Sequence, residues 1–102
     1  MEQEQQNRVI RRKADFLDVG IEVVQDGGNC HCREAKVSER PWAVLSDDLD
    51  VPAPDGWFFL KDVFYNRITI RDLIANKLLE VSPELFTMPS GRKVKIARII
   101  PE

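Results

Sequence analysis

The densest apolar stretch of the chain runs from Trp57 to Tyr65 and holds five of its eight aromatic residues. Positions 57–60 are apolar on both faces, which is typical of a strand buried inside a sheet. The preceding segment, 46–56, is acidic and contains two prolines that keep the residues before them extended. The pattern therefore predicts a long acidic loop followed by a central strand, with nothing to break that strand before Asn66.

One helix is predicted over about residues 70–80. Thr69 stands in the position of an N-cap, and Asp72 stands three residues later in the capping-box position. Apolar residues then recur at helical spacing, at Ile70, Leu73, Ile74, Leu78 and Val81. We expect this apolar stripe to cover one face of the aromatic strand.

The segment 8–18 fits either of two elements. Its apolar positions recur at 9, 10, 14 and 17, a helical spacing that Gly20 would end. A strand from Val9 to Phe16 is the alternative, and we favour the helix. The polar residues 1–7 offer nothing to bury and are predicted to form a disordered N-terminus.

The first of two predicted hairpins turns at Gly27 and Gly28, which separate the β-branched stretch 20–25 from a return strand that begins at Cys30. Because side chains alternate along a strand, Cys30 and Cys32 share one face and His31 points the other way. A short buried strand is predicted at 42–45.

The second predicted hairpin lies near the C-terminus, where Pro89, Ser90 and Gly91 supply the turn. The strand after it alternates, with Val94 and Ile96 facing inward and lysines facing outward. This alternation slips at residues 97–98, which predicts a bulge or a sheet edge.

These elements predict an α+β fold with a small, mostly antiparallel sheet of about five strands. One helix, at about 70–80, packs on the sheet, and a second helix is expected at the N-terminus. Residues 8–102 are predicted to form a single compact domain, since this length is near the common domain size.

No apolar run approaches the roughly 20 residues of a membrane span. The polar start of the chain and its two cysteines predict a cytoplasmic location.

Charge is distributed unevenly along the chain. Residues 1–56 carry 7 Lys and Arg against 12 Asp and Glu, whereas residues 57–102 carry 8 against 5. The excess of positive charge is concentrated in four residues near the C-terminus: Arg92, Lys93, Lys95 and Arg98. Such a cluster either attracts phosphate or an acidic protein surface, or protects a solvated strand edge.

The triplet Cys30-His31-Cys32 is the strongest candidate for chemistry, but its spacing does not favour a site. Zinc ligand pairs usually stand two to four residues apart, and a closed site needs four ligands. Since His31 diverges from both sulfurs in a strand, it is poorly placed to activate either thiol as a nucleophile. We therefore predict no catalytic residues, no metal and no cofactor, and two cysteines that act as small core residues.

The segment from Pro83 to Ile96, with its Pro-Ser-Gly turn followed by a basic strand, resembles a short stretch in the C-terminal region of a bacterial DEAH-type helicase family. The resemblance covers 14 of the 102 residues and includes none of the helicase motifs. It therefore implies neither a fold nor an activity.

A binding role is the leading functional prediction. We expect a small cytosolic protein–protein interaction module, acting as a regulator, inhibitor or accessory subunit and having no catalytic activity of its own. Five residues of the acidic loop and its end are predicted to bind the partner: Asp47, Asp48, Asp50, Asp55 and Trp57. The alternative is nucleic-acid binding by the four basic residues near the C-terminus together with an exposed aromatic ring. A homo-oligomer formed through the C-terminal strand is also left open.

Overall fold

A computed structural model describes residues 9–16, 19–34 and 43–101. The predicted disordered N-terminus, 1–7, lies outside these residues, as does Trp42 of the predicted strand 42–45.

The first sheet contains four antiparallel strands in the order β1-β2-β3-β4. Their bounds are β1 Val9–Phe16, β2 Val19–Asp26, β3 Asn29–Glu34 and β4 Ala43–Val44. The hairpin predicted at Gly27 is confirmed, and Gly27 has the positive φ of 59° that favours glycine in a tight turn. Cys30 and Cys32 both face the core, as predicted.

The prediction of a helix in the segment 8–18 is wrong, because residues 9–16 form the strand β1. They pair with β2 over the whole length of both strands, from Val9 opposite Asp26 to Phe16 opposite Val19. Burial alternates with a period of two from Val9 to Lys13, with Ile10 and Arg12 half-buried between exposed neighbours. Continuous pairing with β2 therefore overrides a helical spacing that rests on few apolar residues.

The second sheet contains three antiparallel strands in the order β5-β9-β6. Their bounds are β5 Phe58–Phe59, β6 Leu79–Val81 and β9 Ile96–Ile99. A bridge between Ser46 and Leu60 connects this sheet to the segment that follows β4. The hairpin predicted at the Pro-Ser-Gly turn is present as β7 Phe86–Thr87 and β8 Lys93–Val94.

Two predictions about this second sheet are corrected. The last strand is not an edge, because β9 lies between β5 and β6, and Ala97 is fully buried opposite Phe58. A copy of the chain therefore cannot extend the sheet at β9. The aromatic strand is also shorter than predicted: after Leu60 the chain leaves the sheet and forms a 3-10 turn at Phe64–Asn66.

The helix α1 spans Arg67–Ala75, so the prediction of a helix at about 70–80 is right in kind but shifted. Thr69 is a buried residue inside the helix, and Asn66 is the N-cap. The helix ends early because Lys77 adopts a left-handed φ of 61°. Leu79 then enters β6 opposite Ile99, where tertiary pairing overrides the helical spacing.

One core cluster receives side chains from both sheets and from the helix. Its fully buried members include Cys32, Leu45, Phe58, Ala97 and Ile99. The α+β fold class predicted from the sequence is therefore confirmed.

Candidate interaction surfaces

The acidic loop, residues 46–56, borders an open cleft of about 710 Å³. The cleft is also lined by the β2–β3 turn and by Arg98. It brings together four of the five predicted partner-binding residues: Asp47, Asp48, Asp55 and Trp57. The fifth, Asp50, does not line the cleft and lies at a left-handed position of the loop with φ 65°.

The buried side chain of Gln25 fixes one end of this loop. Its amide nitrogen donates hydrogen bonds to the carbonyl oxygens of Gly27, at 3.1 Å, and Gly56, at 3.0 Å. Its amide oxygen accepts a hydrogen bond from the backbone N–H of Ile99 at 2.8 Å. At the other end, the backbone N–H of Asp47 donates to the carbonyl oxygen of Phe59 at 2.8 Å. The loop is therefore anchored at both ends, and its acidic residues are held around the cleft.

Arg98 covers one face of Trp57. Its guanidinium carbon lies 4.6 Å from the ring centroid, a cation–π distance. The same guanidinium donates a hydrogen bond of 2.8 Å to the carboxylate of Glu80. Arg98 is therefore engaged by an acid and a ring, and the charge that it presents to the cleft is reduced.

The four basic residues predicted as a nucleic-acid site do not form one free cationic patch. Lys95 donates a hydrogen bond of 2.8 Å to Asp62, and this contact lowers the pKa of the Asp62 carboxyl. Arg98 pairs with Glu80 as described. Arg92 and Lys93 are exposed at the β7–β8 hairpin.

The triplet at 30–32 has the arrangement expected of core residues. Cys30 and Cys32 are free thiols, 1% and 0% exposed. Burial raises the pKa of both thiols, that of Cys32 to about 12, so they stay protonated and poorly nucleophilic near neutral pH. His31 lies on the opposite face, and burial lowers its pKa, with a further contribution from the charge of Arg33. Among the described residues no three potential ligands gather in a way that could hold a metal ion.

A second surface was not predicted from the sequence. Phe64, Tyr65 and Ile68 are 85%, 70% and 66% exposed. They occupy the 3-10 turn and the first turn of α1, where residues three and four positions apart are neighbours. We call these three residues the aromatic surface.

Asn66 fixes the turn that presents the aromatic surface. Its side chain is 1% exposed, and its amide nitrogen donates to the carbonyl oxygens of Val44, at 2.9 Å, and Lys61, at 3.1 Å. These bonds connect the turn to β4 and to the segment that follows β5. The surface therefore stands on a rigid support, with the buried residues Ile70 and Leu73 on the inner face of α1.

Three basic side chains stand close in sequence to the aromatic surface. The Lys61 ammonium lies 5.9 Å from the Tyr65 ring centroid. Arg67 is 68% exposed and lies 3.9 Å from Asp62, which is already hydrogen-bonded to Lys95. Arg71 is exposed one helical turn after Arg67. We call Lys61, Arg67 and Arg71 the cationic rim.

The signal for the aromatic surface was present in the sequence. Lys61 and Asp62 interrupt the apolar alternation after Leu60, and a strand buried on both faces does not accommodate a charged pair. This interruption marks the end of β5, so the aromatics beyond it need not enter the core.

Within the described part of the chain, no helix has the length and apolar character needed to span a membrane. Comparisons with known protein families, with curated proteins and with solved structures find no match for this chain.

Proposed function

We propose that this protein is a small protein–protein interaction module that binds its partner through the aromatic surface. The observation that carries the proposal is the exposure of Phe64, Tyr65 and Ile68, at 85%, 70% and 66%, within one five-residue turn of the chain. Contiguous exposed apolar residues rimmed by polar groups mark interaction sites. Aromatic residues and arginine are also the types enriched at protein interfaces.

The support beneath the surface strengthens the proposal. A surface held by buried hydrogen bonds loses little conformational freedom on binding, so more of the contact energy is retained as affinity. Asn66 supplies two such bonds directly between Tyr65 and Arg67 in the chain. The folded domain therefore presents the three side chains in one arrangement before any partner arrives.

The acidic cleft is the second part of the proposed binding machinery. Asp47, Asp48, Asp55 and Trp57 line it together, which supports their predicted role in partner binding. The proposal assigns no catalytic residues and no cofactor. A cytosolic location and a regulatory, inhibitory or accessory role stay predictions from the sequence.

Nucleic-acid binding by the C-terminal basic residues has less support. Lys95 and Arg98 are engaged by Asp62 and Glu80, and Arg98 covers one face of Trp57. Stacking on that face would require Arg98 to move away. A fluorescence titration with mixed single-stranded oligonucleotides at low salt tests this alternative, since such binding is strongly salt-dependent.

Site-specific photocrosslinking tests the proposed function. A benzoylphenylalanine replaces Tyr65 in one sample and Thr87, which is exposed on β7, in another, and both are irradiated in an extract of the native host. We expect a discrete protein adduct from position 65 that survives nuclease treatment and is absent from position 87.

Two further variants give the matched control. Ile68→Ser should abolish the adduct from position 65, whereas Leu85→Ser, which also removes an exposed hydrophobic residue, should preserve it. Equal labelling from positions 65 and 87, or an adduct that resists Ile68→Ser, would contradict the proposal.

A further inference from the structure

We propose that the aromatic surface of one copy docks into the acidic cleft of a second copy, so that copies associate head to tail. The inference rests on the proposed function, because it takes the aromatic surface to be a binding surface. It adds the identity of one partner, which is the chain itself.

The charges of the two surfaces are complementary. The cationic rim contributes Lys61 and Arg71, which form no ion pair among the described residues, and Arg67, which lies 3.9 Å from Asp62. The cleft is lined by three carboxylates, those of Asp47, Asp48 and Asp55. Among the described residues these three aspartates form no ion pair, so they can accept cations from another copy. Opposite potentials on two surfaces steer their association and fix its orientation.

The cleft also offers apolar contacts. Besides its acidic residues, the cleft is lined by the half-buried side chains of Leu49, Val51 and Trp57. Its volume of about 710 Å³ leaves room for a side chain from another molecule. An aromatic ring with an adjacent aliphatic side chain, such as Phe64 with Ile68, suits a cleft that is lined by both apolar and charged side chains.

The two surfaces share no residue. No residue of the aromatic surface or of the cationic rim lines the cleft. One copy can therefore offer its aromatic surface to a second copy and its cleft to a third. Such a heterologous contact forms rings if the rotation closes and open chains if it does not.

The proposed contact buries a small area, so we expect its affinity to be low. A standard interface buries about 800 Å² on each partner. The aromatic surface and the cationic rim together offer less area than this. We expect a transient contact with a Kd of about 10–100 µM. It should weaken as salt is added, because its charges lie near solvent.

Complementary variants test the inference by sedimentation velocity. The first variant carries Phe64→Ser and Ile68→Ser, which remove the aromatic surface and keep the cleft. The second carries Asp47→Asn, Asp48→Asn and Asp55→Asn, which neutralise the cleft and keep the aromatic surface. Near-UV circular dichroism checks that both retain the native fold, and Leu85→Ser is the matched control.

The wild-type protein and Leu85→Ser should show a sedimentation coefficient that rises with concentration up to about 500 µM. Each variant alone should self-associate at least about tenfold more weakly. An equimolar mixture of the two should form a heterodimer and nothing larger, because only one intact surface of each kind remains.

A wild-type protein that stays monomeric over this range overturns the inference, and so does a mixture that behaves as two separate monomers. If position 65 still crosslinks to a different protein in that case, the proposed function stands and only the second copy is excluded as the partner.

Discussion

Gln25 and Ile99, 74 positions apart in the chain, are joined by a buried hydrogen bond of 2.8 Å from the backbone N–H of Ile99 to the side-chain oxygen of Gln25. The other end of the same side chain holds the carbonyl oxygens of Gly27 and Gly56. One polar residue thus connects the first sheet, the second sheet and the end of the acidic loop. Gln25 and Ile99 both line the cleft, so this connection also shapes it.

Replacing Gln25 with leucine should destabilise the fold by about 2–3 kcal/mol, because the Ile99 N–H and the Gly56 carbonyl oxygen lose their partner. Urea unfolding followed by fluorescence measures this change. Lys93→Gln, an exposed change on β8, should stay within about 0.5 kcal/mol of the wild type. Equal stabilities for the two variants would show that Gln25 does not connect the sheets.

Asn66 and Asn76 provide a matched pair of asparagines at the two ends of α1. Asn66→Ala should cost about 2 kcal/mol, since it removes a buried side chain that donates to the carbonyl oxygens of Val44 and Lys61. Asn76→Ala removes one exposed bond to the Asp72 carbonyl oxygen and should cost less than about 1 kcal/mol. Thermal unfolding of both variants gives the comparison, and the reverse order of stability would be inconsistent with the buried role of Asn66.

Phe58 and Phe64 differ in burial, so they distinguish an aromatic residue that stabilises the fold from one that we propose binds a partner. Phe58 is fully buried, so Phe58→Ala should destabilise the protein by about 3–5 kcal/mol. Phe64 is 85% exposed, so Phe64→Ala should change the free energy of unfolding by no more than about 0.5 kcal/mol. A large loss of stability in Phe64→Ala would mean that this ring is packed, and the aromatic surface would lose its central member.

The raised pKa of the Cys32 thiol predicts that the free energy of unfolding changes at alkaline pH. Its pKa rises from an ordinary value of 9.0 to about 12 in the folded protein. Below pH 9 the thiol is neutral in both states and adds no pH dependence. Between 9 and 12 the unfolded state loses this proton and the folded state does not, so stability falls as pH rises.

The stability advantage of the wild type over Cys32→Ala should therefore shrink by about 1.4 kcal/mol between pH 7 and pH 10. Denaturant unfolding at the two pH values measures it. A constant difference would show that the thiol ionises in the fold as readily as in water.

The two hairpins and the α+β class could be predicted because their signals are local. Glycine turns at Gly27 and Gly91 and the alternation beside them depend on neighbouring residues only. The cysteine pair could be assigned to the core for the same reason, since a strand period of two decides which face each thiol takes.

The remaining features depend on contacts between distant parts of the chain. The strand β1 forms because β2 is available to pair with it, and α1 gives way to β6 because Ile99 stands opposite Leu79. The roles of Gln25 and Asn66 depend on carbonyl oxygens up to 31 positions away, so the residue type alone did not indicate them. The aromatic surface was not predicted, because the predicted strand continues past the charged pair at 61–62 and places Phe64 and Tyr65 inside the sheet.

The central claim is that the aromatic surface is a binding surface and that the acidic cleft receives it. Backbone amide chemical shifts of ¹⁵N-labelled protein, followed by NMR as the sample is diluted, test this claim most directly. We predict concentration-dependent shifts in two separate groups, residues 64–71 and residues 47–57, and a constant spectrum for the β7–β8 hairpin. Shifts confined to the hairpin, or a spectrum that does not change on dilution, would contradict the account.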